Sequence, residues 1–200
     1  MSMFLRSRAH ILIFFFSLPA FAGTSVPGIK NFDQVDAHVY RGGQPTHEGF
    51  DYLAKIGVKI VIDLREDDNR SPAERRAVTA AGMQYVNVPM TGLIPPTEAQ
   101  TNQILALLQD DTTGPIFVHC KRGADRTGAV IAAYRINHNH WDNTEALREA
   151  MSHGMSFFQL PRQHYVRTFQ PRKIEATPAD KLAMTAAPAT GATAPAIAVP

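Results

Sequence analysis

The 200 residues contain a single cysteine, Cys120, and a single tryptophan, Trp141. One thiol cannot close an internal disulfide. It is a reactive group, half of an intermolecular bridge, or a buried and inert small hydrophobe. Long apolar runs are also missing. Ile11–Leu18 spans eight residues, far short of the ~20 that a membrane-crossing helix needs. Charge of one sign is not in excess either. The chain has 20 Lys and Arg against 18 Asp and Glu, and two of the basic residues, Arg6 and Arg8, fall in the first 22 positions. Residues 23–200 are therefore neutral, which excludes a general nucleic-acid or membrane-surface binder; any anion recognition has to come from a local cluster. No internal repeat is present. His138 and His140 lie two apart, a spacing that separates them on a helix, so no metal site is expected there.

What is present begins with two unusual ends. Arg6, Arg8 and His10 precede the short apolar run, and Ala20-Phe21-Ala22 closes it. This is the pattern of a secretory signal peptide over residues 1–22, and it implies export to a periplasm or to the medium, with no membrane span after cleavage. Residues 175–200 are rich in Ala, Pro and Thr, lack aromatics and show little periodicity. Such a segment cannot bury enough surface to offset its ordering entropy, and a disordered tail is expected. The folded domain is placed at residues 28–174.

Within that domain, short β-branched runs alternate with helical patterns. Val39–Arg41, Val58–Leu64, Met83–Pro89 and Pro115–Cys120 read as strands, the second as a strand buried on both faces. Ser71 with Pro72 and Glu74, Thr97 with Gln100, Asp142 with Glu145, and Thr46 or Pro45 read as helix starts. The expected fold is a single α/β domain with a mostly parallel central sheet flanked by helices. Phe157-Phe158 and Trp141 read as core.

The cysteine sits where such a strand meets a helix, in Pro115–Gly128, "PIFVHCKRGADRTG". A helix N-terminus offers unpaired N–H groups and the positive end of a dipole, so strand, loop and helix together form an anion cradle. Gly123 lets the loop backbone approach a ligand, and Gly128 permits close packing at the helix start. The same N–H groups, with Arg126, favour a thiolate at Cys120. A thiolate facing an oxyanion site is a nucleophile for phosphoryl transfer, and the Arg126 fork matches two phosphate oxygens. Thr127 can donate a hydrogen bond to the departing sulfur. Lys121 and Arg122 follow the thiol directly.

His119, Cys120, Gly123, Arg126, Thr127 and Gly128 resemble the His-Cys-x5-Arg-Thr/Ser signature loop of the cysteine-dependent protein tyrosine and dual-specificity phosphatases. "VYRGGQP" and "GVKIVIDLRED" are similar to the openings of small atypical members, and "HCKRG" and "RTG" to the plant and fungal group, some of which act on inositol pyrophosphates. The resemblance spans about residues 30–170. It implies Cys120 as nucleophile, Arg126 as transition-state ligand, a phosphate cradle built from Lys121, Arg122, Gly123, Ala124, Thr127 and Gly128, and no metal or cofactor. The substrate class it implies is a phosphorylated protein, with a small polyphosphate as the alternative. A phosphate-binding protein with little turnover is a further alternative.

The family's acid is an Asp on a separate loop. The matching stretch here, Val88–Gln100, has Glu98 as its one carboxylate, at a helix start. Asp125, inside the signature loop, is the better candidate by its similarity to loops of lipid phosphatases; its other role is to orient Arg126 or a loop amide. Asp63, Asp67 and Asp68 end a strand near the site, and most of that run reads as solvated loop. Arg41 and Arg65 end strands and are read either as reaching a polyanionic substrate or as surface ion pairs.

Overall fold

The computed structural model describes residues 26–174. The expected signal peptide and the expected disordered tail lie outside the described residues. The centre of the fold is β5 (Ile116–Cys120), buried at all five positions. It lies between β2 (Val39–Gly43) and β3 (Ile60–Asp63), both parallel to it. β4 (Gln84–Asn87) adds parallel to β3, and β1 (Asp33–Gln34) adds antiparallel to β2. The order is β1-β2-β5-β3-β4, the mostly parallel sheet expected.

Period-2 alternation sends β5 residues to two separate cores. Phe117 and its neighbour Val61 pack with Phe50 and Leu53 of α1 (His47–Lys55) and Val78 of α2 (Ser71–Ala80). Ile116 and Val118 join Ile60 and Ile62 in the larger core. That core also takes in α3 (Glu98–Leu108), α4 (Asp125–Asn137), α5 (Asn143–Ser152) and α6 (Leu160–Thr168). Among the described residues no helix is long and apolar enough to cross a membrane.

Thr97 and Gln100 form a reciprocal capping box, Asp142 Oδ1 accepts from the amides of Thr144 and Glu145 at 2.8 and 2.9 Å, and Thr46 caps α1. The Ser71 reading needs correction. The cap position is Arg70, Ser71 is already helical, and Glu74 turns into the interior instead of back to a cap. The antiparallel β1 and helix α6 were not legible: two residues carry no period, and α6 buries only Arg162, Gln163 and Val166. Phe157 and Phe158 are 67% and 75% exposed, not core. Trp141 is partly buried, with the Arg135 guanidinium 4.4 Å from its ring.

Parallel strands end together, so the C-terminal ends of β2, β3 and β5 face one region, where ligands collect in open α/β sheets. The end of β2 is glycine at two positions: a Cβ at Gly42 would meet Ile29 and the Phe117 ring at 2.8 and 2.9 Å, and one at Gly43 would press on Arg122 of the signature loop at 3.2 Å. A Cβ at Gly123, whose φ is +70°, would lie 2.3 Å from the Gly42 carbonyl carbon and 2.5 Å from Gly43 N. Gly123→Ala therefore meets both a left-handed backbone and immovable main chain. It is expected to lose at least about 2 kcal/mol, a fall in Tm on the order of 5 °C. Gly57→Ala, with φ +90° and nothing within 4 Å, meets only the backbone term and should lose less. Thermal melts of the two variants check the difference.

Candidate active site

The four residues between β5 and α4, Lys121 to Ala124, form the loop that follows Cys120. The loop carbonyls are held away from it. Gly123 O accepts from Arg41 Nη2 at 2.9 Å and from Asn31 Nδ2 at 3.0 Å. Asn31 Nδ2 also bonds Arg122 O at 3.3 Å and His153 O at 2.9 Å, tying the loop to the end of α5. With its carbonyls turned outward, the loop directs amides inward. Cys120 is 3% exposed. Burial alone pushes its thiol up. The Thr127 hydroxyl, the amides of Thr127 and Arg122, and the Arg126 charge reverse that, and the pKa is lowered. Among the described residues the buried Thr127 hydroxyl has no other hydrogen-bond partner.

Arg126 is half-buried, and its Nη1 donates to Met90 O at 3.1 Å and, more weakly, to Leu64 O at 3.5 Å. The segments after β3 and β4 thus set the guanidinium over the loop. Ala124 occupies the cap position of α4, and the start of that helix is close-packed: a Cβ on Gly128 would meet Met155 Cε at 3.2 Å and Ala150 Cβ at 3.3 Å. Lys121 and Arg122 are exposed, but Arg122 is bound to Asp125 Oδ2. Asp125 Oδ1 accepts from Ser156 N at 2.8 Å. Glu98, the first residue of α3, is exposed and paired with Arg172.

Arg41 and Arg65 belong neither to a substrate-facing surface nor to an exposed pair. Arg41 is 1% exposed beneath the signature loop. Burial lowers its pKa to about 10, opposed by Glu149, Asp33 and Cys120. Its Nε and Nη1 have no hydrogen-bond partner among the described residues. It is a buried cation on the same face of the sheet as Cys120. The "YRGG" segment, one charged residue ahead of two glycines, was the available signal for it.

Arg65 joins a buried cluster on the opposite face. It donates to both oxygens of Asp63 and to Glu74 Oε2, and Tyr85 OH donates to Asp63 Oδ2 at 2.9 Å. His119 Nε2 lies 2.8 Å from Glu74 Oε1 and 3.9 Å from Asp63 Oδ1, with its ring stacked on Phe117. Burial pushes the imidazole down, but Glu74 and Asp63 overcome it, and the His119 pKa is raised. Burial likewise pushes Asp63 up, and Arg65 and His119 bring it below its ordinary value. Two carboxylates thus balance two cations. The His119 contribution is complete below its unfolded pKa and is lost as pH rises through the raised folded value; that of Asp63 is lost as pH falls through the lowered one. Asp63, Glu74 and His119 have ligand atoms within 4.8 Å of one another, and Arg65 bonds both Asp63 oxygens and Glu74 Oε2. Asp68 is half-buried and paired with Arg70, and Asp67 is exposed.

Arg162, which no sequence signal marked, is wholly buried. It donates to the carbonyls of Thr91 at 2.7 Å, Gly92 at 2.6 Å and Ile94 at 2.8 Å. It thereby fixes the loop whose Met90 holds Arg126.

Known proteins are similar to this chain in sequence and in fold. The family model described as "DSP-PTPase phosphatase fused to NAD+ kinase" matches residues 24–168. Dual specificity protein phosphatase TpbA of Pseudomonas aeruginosa is 32% identical over 137 residues, 68% of this chain and 59% of TpbA. Its crystal structure superposes with a TM-score of 0.60 at 27% identity, over 72% of this chain and 92% of that one. Inositol diphosphatase DSP5 of Arabidopsis thaliana is 30% identical over 128 residues, 60% of this chain and 59% of DSP5. The chain thus spans about three fifths of both curated relatives. The catalytic core of the PP-IP phosphatase SIW14 of S. cerevisiae shares the fold, with a TM-score of 0.66 at 24% identity over 75% of this chain and 91% of that one. The match over residues 24–168 and the loop built around Cys120 agree: the chain belongs to the family of dual-specificity-type phosphatase domains.

Proposed function

We propose that the protein hydrolyses phosphomonoesters, with phosphotyrosine or another phosphoprotein residue as substrate, through a phosphocysteine intermediate. One observation supports this above the rest: Cys120 is buried at the start of the signature loop, where the Thr127 hydroxyl, the amides of Thr127 and Arg122 and the Arg126 charge outweigh burial and lower its pKa. The thiolate attacks phosphorus, the bond to the leaving oxygen breaks, and that oxygen takes a proton. Water then attacks phosphorus, the S–P bond breaks, and phosphate and the thiolate are released. Arg126 and the loop amides hold the equatorial oxygens as charge develops. Asp125 supplies the leaving-group proton in this reading: it lies in the signature loop beside Arg126, and residues 88–97 contain no carboxylate. Arg122 and Ser156 keep Asp125 in place. We extend the proposal to location, with the domain exported on the strength of residues 1–22.

A second reading, an inositol polyphosphate or diphosphate, draws support from the relatives named for that activity and from the missing carboxylate in residues 88–97. A phosphate leaving group needs little proton assistance.

Three measurements check these assignments. The rate of Cys120 alkylation against pH is expected to show its inflection below the free thiol value of ~8.5. Arg41→Met should move that inflection upward, because a buried cation near the thiolate is removed. Arg126→Lys is expected to lower kcat/KM on para-nitrophenyl phosphate about 100-fold, since a point charge cannot replace the fork, and Cys120→Ser to abolish turnover. With Asp125→Asn, kcat should fall about 100-fold on phenyl phosphate, whose leaving group needs the proton, and only a few-fold on para-nitrophenyl phosphate. Equal losses on both would reassign Asp125 to orienting the loop.

A further inference from the structure

Among the described residues, every large hydrophobic side chain exposed by 60% or more is Leu93, Ile94, Phe157, Phe158 or Leu160. These five come from two segments only, and both segments are fastened to the candidate site. The first follows Met90, whose carbonyl holds Arg126, and is clamped by Arg162 through Thr91, Gly92 and Ile94. The second begins at Ser156, whose amide holds Asp125, and Gln159 Nε2 reaches across to Gly92 O at 3.4 Å. The Phe157 and Phe158 rings, 3.8 Å apart between centroids, pack on each other and still remain exposed. An apolar rim thus continues outward from the phosphate cradle. Concentrated exposed apolar surface of this kind marks a recognition site.

We infer that this rim, Leu93 and Ile94 on one side and Phe157, Phe158 and Leu160 on the other, selects protein substrates whose phosphotyrosine is flanked by apolar side chains. The inference rests on the phosphatase reading of the same site. Charge argues for this occupant. Segments 91–96 and 153–161 contain no Lys, Arg, Asp or Glu. Most nearby cations are already engaged: Arg122 is paired with Asp125, Arg162 with three carbonyls, and Arg41 is buried under the loop, while Lys121 is exposed. A substrate bearing several phosphates would find few free cations on this side, and an anionic lipid surface would find none in the rim segments. Apolar side chains on either side of an aromatic phosphoester match both segments, and aromatic residues are the usual anchors of such contacts.

The test compares two phosphotyrosine peptides of equal length, one with Leu or Val on either side of the phosphotyrosine and one with Ser or Gly there. The ratio of their kcat/KM values is read within each protein, so a general change in activity cancels. The expected wild-type ratio is tenfold or more, equivalent to about 1.4 kcal/mol. It should fall toward one in Phe157→Ser/Phe158→Ser, and at least severalfold in Leu93→Ser/Ile94→Ser. Circular dichroism melts confirm that these exposed substitutions leave the fold intact. A wild-type ratio near one, or a ratio unchanged in both variants, overturns the inference. Sedimentation of the wild type with phosphatidylglycerol vesicles, lost in Phe157→Ser/Phe158→Ser, together with a peptide ratio near one, would give the rim to lipid and also overturn it. If the wild type fails to hydrolyse even para-nitrophenyl phosphate, the phosphatase reading itself falls and the inference falls with it, an outcome distinct from active enzyme with no peptide preference.

Discussion

The site depends on where the Gly123 carbonyl points. Arg41 and Asn31 both donate to it, and this holds the signature loop with its oxygens outward and its amides toward sulfur. A thiolate at Cys120 has no other way to collect several N–H donors in so short a loop. The glycine at 123 follows from the same requirement, since the loop crosses the end of β2 so closely that a Cβ there would meet the Gly42 and Gly43 main chain. Arg41 then serves twice: it fixes the loop, and it places a positive charge on the thiol's face of the sheet.

The pleat of β5 separates two electrostatic systems that sequence puts side by side. His119 and Cys120 are adjacent, but alternate strand residues face opposite layers. His119 enters a balanced cluster with Asp63, Arg65 and Glu74 under α2. Cys120 enters the amide ring under α4. The cluster ties β3, β5 and α2 together at the sheet end from which the signature loop departs. Each buried charge in it has an opposite partner, which is the condition for ionised groups to remain in an interior.

A second layer of support surrounds the loop. Arg162 of α6 organises the segment after β4, and that segment in turn holds Arg126 through Met90. Ser156, ahead of the same helix, holds Asp125. One helix therefore positions two elements that meet at the cradle, and the apolar residues displayed around it come from those same two elements. Scaffold and rim are built by one set of contacts.

Local rules decided much of this molecule. The strand–loop–helix around Cys120, the alternation of strands and helices, and the caps at Thr46, Thr97 and Asp142 all depend on neighbours within a few positions, so they were legible in the chain. The spacing of Cys120, Gly123, Arg126 and Thr127 carries its chemistry within eight residues. Tertiary structure decided the rest. Arg41 and Arg65 end strands in the same way, and only packing shows that one lies beneath the loop and the other inside a charge cluster. Glu74 resembles a capping residue until α2 is laid against β5. Phe157-Phe158 has the composition of core, and it is exposed because the segment carrying it is anchored by hydrogen bonds from Ser156 and Gln163 rather than by its rings. Arg41 bonds a carbonyl 82 positions away, and Glu74 meets His119 only because α2 packs on β5. Such a partner has no periodic signature in a sequence, because it is chosen by the fold and not by the local chain.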